Sequence, residues 1–88
     1  MKLKYNFVTN EVADKIVAVA VGDDLEKFGG FIKLNNIGAT AFEMLKNDVT
    51  EEDIVNELLK KYPEHTVEET KESVADFINK LRESDLLE

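Results

Sequence analysis

The 88-residue chain contains no cysteine, a single proline and a single histidine. Without thiols there is no disulfide, no cysteine nucleophile and no thiolate metal site, a composition that fits a reducing compartment. One imidazole, His65 in the "YPEHT" stretch, has no second histidine or cysteine to share a metal with and no partner at defined spacing for acid/base chemistry, so it reads as a solvated loop residue. No apolar run approaches the 18 residues of a membrane span, and no charged-then-apolar leader with a small-residue cleavage site opens the chain, so the expected location is cytoplasmic. Basic residues are also scarce: 11 against 19 acidic, a formal charge of −8. Binding to nucleic acid draws much of its affinity from counterions released by a concentrated basic face, and this chain has none. The net acidity is read as a solubility device.

The remaining candidates for chemistry have structural explanations. Asp23 and Asp24 in "GDDLEKFGG" lack the alternating oxygen ligands and closing glutamate of a calcium loop, and are expected to form a turn. Gly29 and Gly30 are followed by neither Lys-Ser/Thr nor a helix, so they are not a phosphate loop. Glu51, Glu52 and Asp53 follow a threonine at a helix start, where they complement the helix dipole without any catalytic pairing. The expectation is a protein that is not an enzyme and needs no metal or other cofactor.

What is present is a change of period. Residues 2–9 alternate, with Leu3, Tyr5 and Phe7 on one face. Residues 16–21, "IVAVAV", are apolar on both faces as in a central strand, and 31–34, "FIKL", form a third and shorter one. Between the last two a polar loop is expected. From Asn35 the period is helical: Asn35 caps a helix over 36–46, Thr50 caps one over 51–61 that Pro63 follows, and Thr66 with Glu69 predicts a capping box opening a helix over 67–83. Ile37, Ala41, Phe42, Met44, Leu45, Ile54, Val55, Leu58, Leu59, Tyr62, Val67, Val74, Phe77, Ile78 and Leu81 are the candidate core, with Leu86 and Leu87 folding back on it. Strands followed by helices predict a single α+β domain over 1–88, winged-helix-like, with a three-stranded antiparallel sheet and a three-helix layer covering one of its faces.

In that order of strands, Phe31 to Leu34 lies at a sheet edge, whose unpaired amides and carbonyls must be protected or used. Lys33 and the shortness of the strand are a protection. Strand addition by an extended peptide is the use, with main-chain pairing giving affinity and a flanking helix giving side-chain pockets. Asn35 favours the latter, because it caps the helix directly after the strand.

The runs "FIKLNNIGATAFEML", "VTEEDIVNELLKKYP" and "VEETKESVADFINKLRESDLLE" together resemble the PqqD family, named for a small protein of pyrroloquinoline quinone biosynthesis. The shared pattern is a strand ending in Leu-Asn, a helix of small residues followed by a bulky apolar one, a Thr-Glu-Glu helix and a last helix ending in Leu-Leu. One departure is "KNDVT", where the family often closes the first helix with an acidic residue and glycine; Asn47 is expected to supply the left-handed conformation instead. The resemblance implies a recognition element for ribosomally made, post-translationally modified peptides: a non-catalytic chaperone that binds the leader segment of a precursor peptide on its third strand and presents it to a modifying enzyme, often a radical SAM protein. Carried over by position, Phe31, Ile32, Lys33 and Leu34 form the edge, while Lys71, Val74, Ala75 and Ile78 line the helix side of the groove with Arg82 near its end. An edge pairing with its own copy would give a symmetric dimer that hides the site.

Two other readings stand beside this one. A small assembly subunit would dock a folded partner through the apolar C-terminal "DLLE". A winged-helix DNA-binding regulator would need a basic recognition helix, yet residues 66–88 hold seven acids against three bases.

Overall fold

Val12 and Lys15 face each other across a two-residue turn, Ala13-Asp14, in which Ala13 takes a left-handed φ of 56°. This hairpin joins strands β1 (Phe7–Val12) and β2 (Lys15–Ala20) in the computed structural model, which describes all residues 1–88. Gly22, at φ 64°, then turns the chain into a single helical turn, α1 (Asp24–Lys27), and β3 (Phe31–Leu34) returns antiparallel to β2. The sheet order is β1-β2-β3, so β2 is central and β3 is an edge. This is an α+β domain, with three antiparallel strands followed by helices α2 (Asn36–Met44), α3 (Glu51–Lys61) and α4 (Val67–Glu83).

Each long helix begins at a side chain that accepts a hydrogen bond from a free first-turn amide. Asn35 Oδ1 accepts from Gly38 N at 2.7 Å, Thr50 Oγ1 from Asp53 N and Thr66 Oγ1 from Glu69 N, both at 3.1 Å. The reciprocal bond that completes a capping box is made at Thr50, whose amide donates to Asp53 Oδ2, but not at Thr66 as the sequence suggested. The helices cover one face of the sheet. Small residues on that face of β2, Ala18 and Ala20, leave room for the rings of Phe7 and Phe42, which meet edge-on with centroids 5.2 Å apart. Phe42, Leu45, Ile54, Leu58, Val74 and Ile78 fill the layer between sheet and helices.

Three local expectations need correction. The first strand begins at Phe7 rather than Lys2, because the preceding residues pair elsewhere: Leu3 N donates to Leu45 O, Lys4 N donates to Leu86 O, and Leu3 bridges Leu87. Alternation at Leu3, Tyr5 and Phe7 reflected true inward-facing positions, but on two different backbone partners. The loop before β3 holds the turn α1, tied down where Asp24 Oδ2 accepts from Asn6 N at 2.7 Å. Finally, Asn47 is not left-handed; α2 ends on a right-handed Leu45, with no αL residue between it and α3.

Glu43 links α2 to the sheet, accepting from Thr9 Oγ1 at 3.1 Å while its other oxygen sits 2.9 Å from Lys46 Nζ. The hydrogen bond from Lys46, helped by that from Thr9, holds the Glu43 carboxyl below the usual carboxylate range. A depressed folded-state pKa stabilises the fold above the unfolded-state value, and the contribution disappears as pH falls through the folded one. The pair is largely solvent-facing, so the effect is at most about 0.5 kcal/mol. Urea unfolding at pH 7 and pH 3 is expected to show a smaller acid-induced loss for Glu43→Gln than for the wild type; equal losses would remove Glu43 from the acid limb.

Candidate functional site

The direction of each main-chain group on β3 follows from the register of the whole sheet. Val21 N donates to Asn6 O at 3.0 Å, one step beyond the Phe7–Ala20 pair, so the odd-numbered residues of β2 turn their amides and carbonyls toward β1. Antiparallel pairs alternate between hydrogen-bonded and non-bonded, so the even-numbered residues, Ile16 and Ala18, turn theirs toward β3. Their partners are Leu34 and Ile32. The N–H and C=O groups of Phe31 and Lys33 therefore point away from the sheet, into an open edge.

Side chains alternate with the same period. Ile32 and Leu34 turn toward the helical layer, half-buried and buried respectively, while Phe31 and Lys33 are exposed on the opposite face. Beside the edge on the helical side lies a shallow concavity of about 180 Å³, its walls formed by Ile32, Leu34 and Asn35 of the strand side and by Phe77, Lys80 and Leu81 of α4 with Ser84 just after it, and Gly38 and Leu86 also line it. It continues past Asn35, Gly38 and Phe77 to Ser73 and Asp76. A methyl group at Gly38 would stand 3.1 Å from the capping Asn35 Oδ1 and 3.4 Å from the Phe77 ring. Glycine at that point keeps both the cap and the groove wall in place.

The four strand residues expected at the site lie together at the edge and along the groove, but the helix residues expected opposite them do not. Val74 and Ile78 are 1% and 0% exposed and belong to the core under the sheet. Lys71 opens onto a separate concavity between α3 and α4, with Glu51, Val55, Leu59 and Val67. Ala75 and Arg82 line neither depression. At about 100° per residue, positions 71, 75 and 82 form one shoulder of the buried stripe of α4, and positions 73, 77, 80 and 84 form the other, roughly 170° away. The helix was read correctly as amphipathic, but it turns its other shoulder to β3. Phe77, an aromatic residue flanking the stripe, is the sequence signal that marks the shoulder lying beside β3.

The electrostatics at the edge depart from those of the chain as a whole. Lys33 on the strand and Lys80 beside the groove make no ion pair, as holds for most lysines of the chain, and they put two positive charges at this edge of a chain of net charge −8. No cluster of three or more histidine, aspartate and glutamate side chains is placed to hold a metal ion, and no helix is long and apolar enough to cross a membrane. His65 packs edge-on against Tyr62, with ring centroids 5.8 Å apart. Leu86 and Leu87 fold back and are buried in the chain's own core.

An open strand edge running beside an amphipathic helix, in a small α+β domain, is the geometry to which an extended chain can add as a further strand. The family model for coenzyme PQQ synthesis protein D (PqqD) matches residues 16–87, and the chain belongs to that family. No curated protein is matched by the sequence. Among solved structures, TbiB1 in complex with the TbiA(beta) leader peptide shares the fold, with a TM-score of 0.74 at 22% identity, the alignment covering 100% of this chain and 95% of that one.

Proposed function

We propose that this protein binds the leader segment of a ribosomally made precursor peptide as a fourth strand on β3 and presents it to a modifying enzyme, a radical SAM protein being the class the family suggests. It is a binding protein in this reading, and the chemistry belongs to its partner. The observation that carries it is the pair of outward-facing residues on β3, Phe31 and Lys33, beside an apolar groove walled by Phe77 and Leu81. Membership of the PqqD family and the likeness to a protein solved with a leader peptide support the same reading. Phe31, Ile32, Lys33 and Leu34 supply the strand, and Phe77, Lys80 and Leu81 replace the helix residues expected from sequence. A second copy pairing at the same edge would exclude the peptide, so self-association is expected to compete with binding.

The test is fluorescence anisotropy of a labelled leader segment from a precursor encoded beside this gene, titrated at two salt concentrations. Saturable binding, competed by unlabelled leader and not by duplex DNA, is the expected result; flat curves with every neighbouring peptide would overturn the proposal. Phe77→Ala removes an aromatic wall of the groove and is expected to weaken binding about tenfold. Its urea unfolding curve, measured alongside, separates lost affinity from lost fold.

A further inference from the structure

The groove is only half of what an added strand would touch. Residues opposite each other in adjacent strands share a face, and the outer face of this sheet, the one without helices, carries two complete cross-strand rows. Val8, Val19 and Phe31 form one, and Asn10, Val17 and Lys33 form the other. The first row is apolar and strongly exposed at its ends, with Val8 41% and Phe31 60% accessible. The second ends in a cation with no acidic neighbour across the sheet and no ion pair anywhere, on a chain of net charge −8. Both rows stop at the open edge.

Resting on the strand-addition reading, we propose that the outer face also reads the peptide: the residue paired with Lys33 is acidic, and the residue paired with Phe31 is apolar or aromatic. Phe31 and Lys33 are the two residues whose main-chain groups face the edge, so each would form a hydrogen-bonded pair with one peptide residue, and the side chains of those residues fall on the outer face. The residue between them falls on the helical side, beside Ile32 and the groove. Every pairing in the sheet is antiparallel, and an added strand in the same sense runs opposite to β3. The recognised segment therefore reads, from its N-terminus, acidic, then apolar into the groove, then apolar or aromatic. Specificity comes from complementary chemistry on both faces of one short strand, the acidic position being the one that distinguishes it from any other apolar stretch.

Display selection of random twelve-residue peptides tests this on the intact protein and on its Lys33→Glu and Lys33→Pro variants. Reversing the charge at Lys33 leaves the edge main chain intact. Wild-type selection is expected to enrich aspartate or glutamate two residues before an apolar or aromatic position, and Lys33→Glu to enrich lysine or arginine at that same place. A wild-type-selected peptide is expected to lose roughly three- to tenfold in affinity for Lys33→Glu, and to regain it when its acidic residue is exchanged for lysine. Peptides that depend on the edge, failing on Lys33→Pro, yet show the same preference with Lys33→Glu as with wild type would overturn the outer-face code and leave strand addition standing. Peptides that bind Lys33→Pro as well as wild type would overturn both.

Discussion

Proline at position 33 is expected to abolish leader-peptide binding while the protein stays folded, and proline at position 32 is expected to unfold it. The two residues are adjacent on the same short strand, and the difference lies only in where their amides point. Ile32 pairs with Ala18 in the sheet, and its amide belongs to the β2–β3 ladder. Replacing it removes an interior ladder hydrogen bond, about 1–3 kcal/mol for the partner left unpaired, and in addition sets a ring against the neighbouring strand. Against a total of about 5–15 kcal/mol for a domain, that is enough to compromise the fold. The Lys33 amide faces the edge, the one setting in which a strand tolerates proline. There the missing donor and the ring obstruct only an incoming strand, and a loss on the order of 100-fold in affinity is expected from the same steric and hydrogen-bond terms. Circular dichroism melts of both variants, with peptide anisotropy for whichever remains folded, measure this directly. If Lys33→Pro is folded and binds with wild-type affinity, the peptide does not add to β3.

The contrast between these neighbours also shows where sequence information ends. Period-2 alternation, a β-branched central run and three capped helix starts were enough to read the order of the three strands and the three long helices, because each of those signals is local; the single turn α1 carried none of them. The identity of the edge strand followed as well, since sequential strands with short links pair in order. Which amides of β3 face outward was not legible, because that parity depends on register, and the register is set by the Ala13-Asp14 turn at the far end of the sheet. Which face of α4 lies beside the edge was not legible for a similar reason. Val74, Ile78 and Leu81 define the buried stripe of α4, but the stripe has two shoulders, and only the tertiary arrangement decides that Phe77 and Lys80 meet β3 while Lys71 turns toward α3. Residues 2–6 illustrate a third limit. Their alternation is real, but a strand pattern does not name its partner, and here the partners are Leu45, Leu86 and Leu87 rather than β2.

Those same C-terminal contacts make removal of residues 85–88 the second large effect. Asp85, left-handed at φ 57°, turns the chain back after α4 so that Leu86 N donates to Leu81 O at 2.9 Å and Leu86 O accepts from Lys4 N at 2.8 Å. Glu88 N donates to Lys2 O at 2.9 Å, completing a short pairing of the two chain ends. Leu86 is 1% exposed and also lines the groove, while Leu87 is 9% exposed. Deleting a buried leucine side chain costs about 2–5 kcal/mol, so losing both approaches the whole stability of a domain this size. The truncated chain is expected to lose cooperative urea unfolding. Leu86→Ala, a smaller change, is expected to lower the unfolding free energy by about 2–5 kcal/mol while keeping the transition cooperative. If "DLLE" were instead a handle for a folded partner, the truncated protein would unfold within about 1 kcal/mol of the intact one, because an unburied segment contributes little to stability. The two expectations differ by several kcal/mol, and a single pair of unfolding curves decides whether the last leucines serve the chain's own core or another protein's surface.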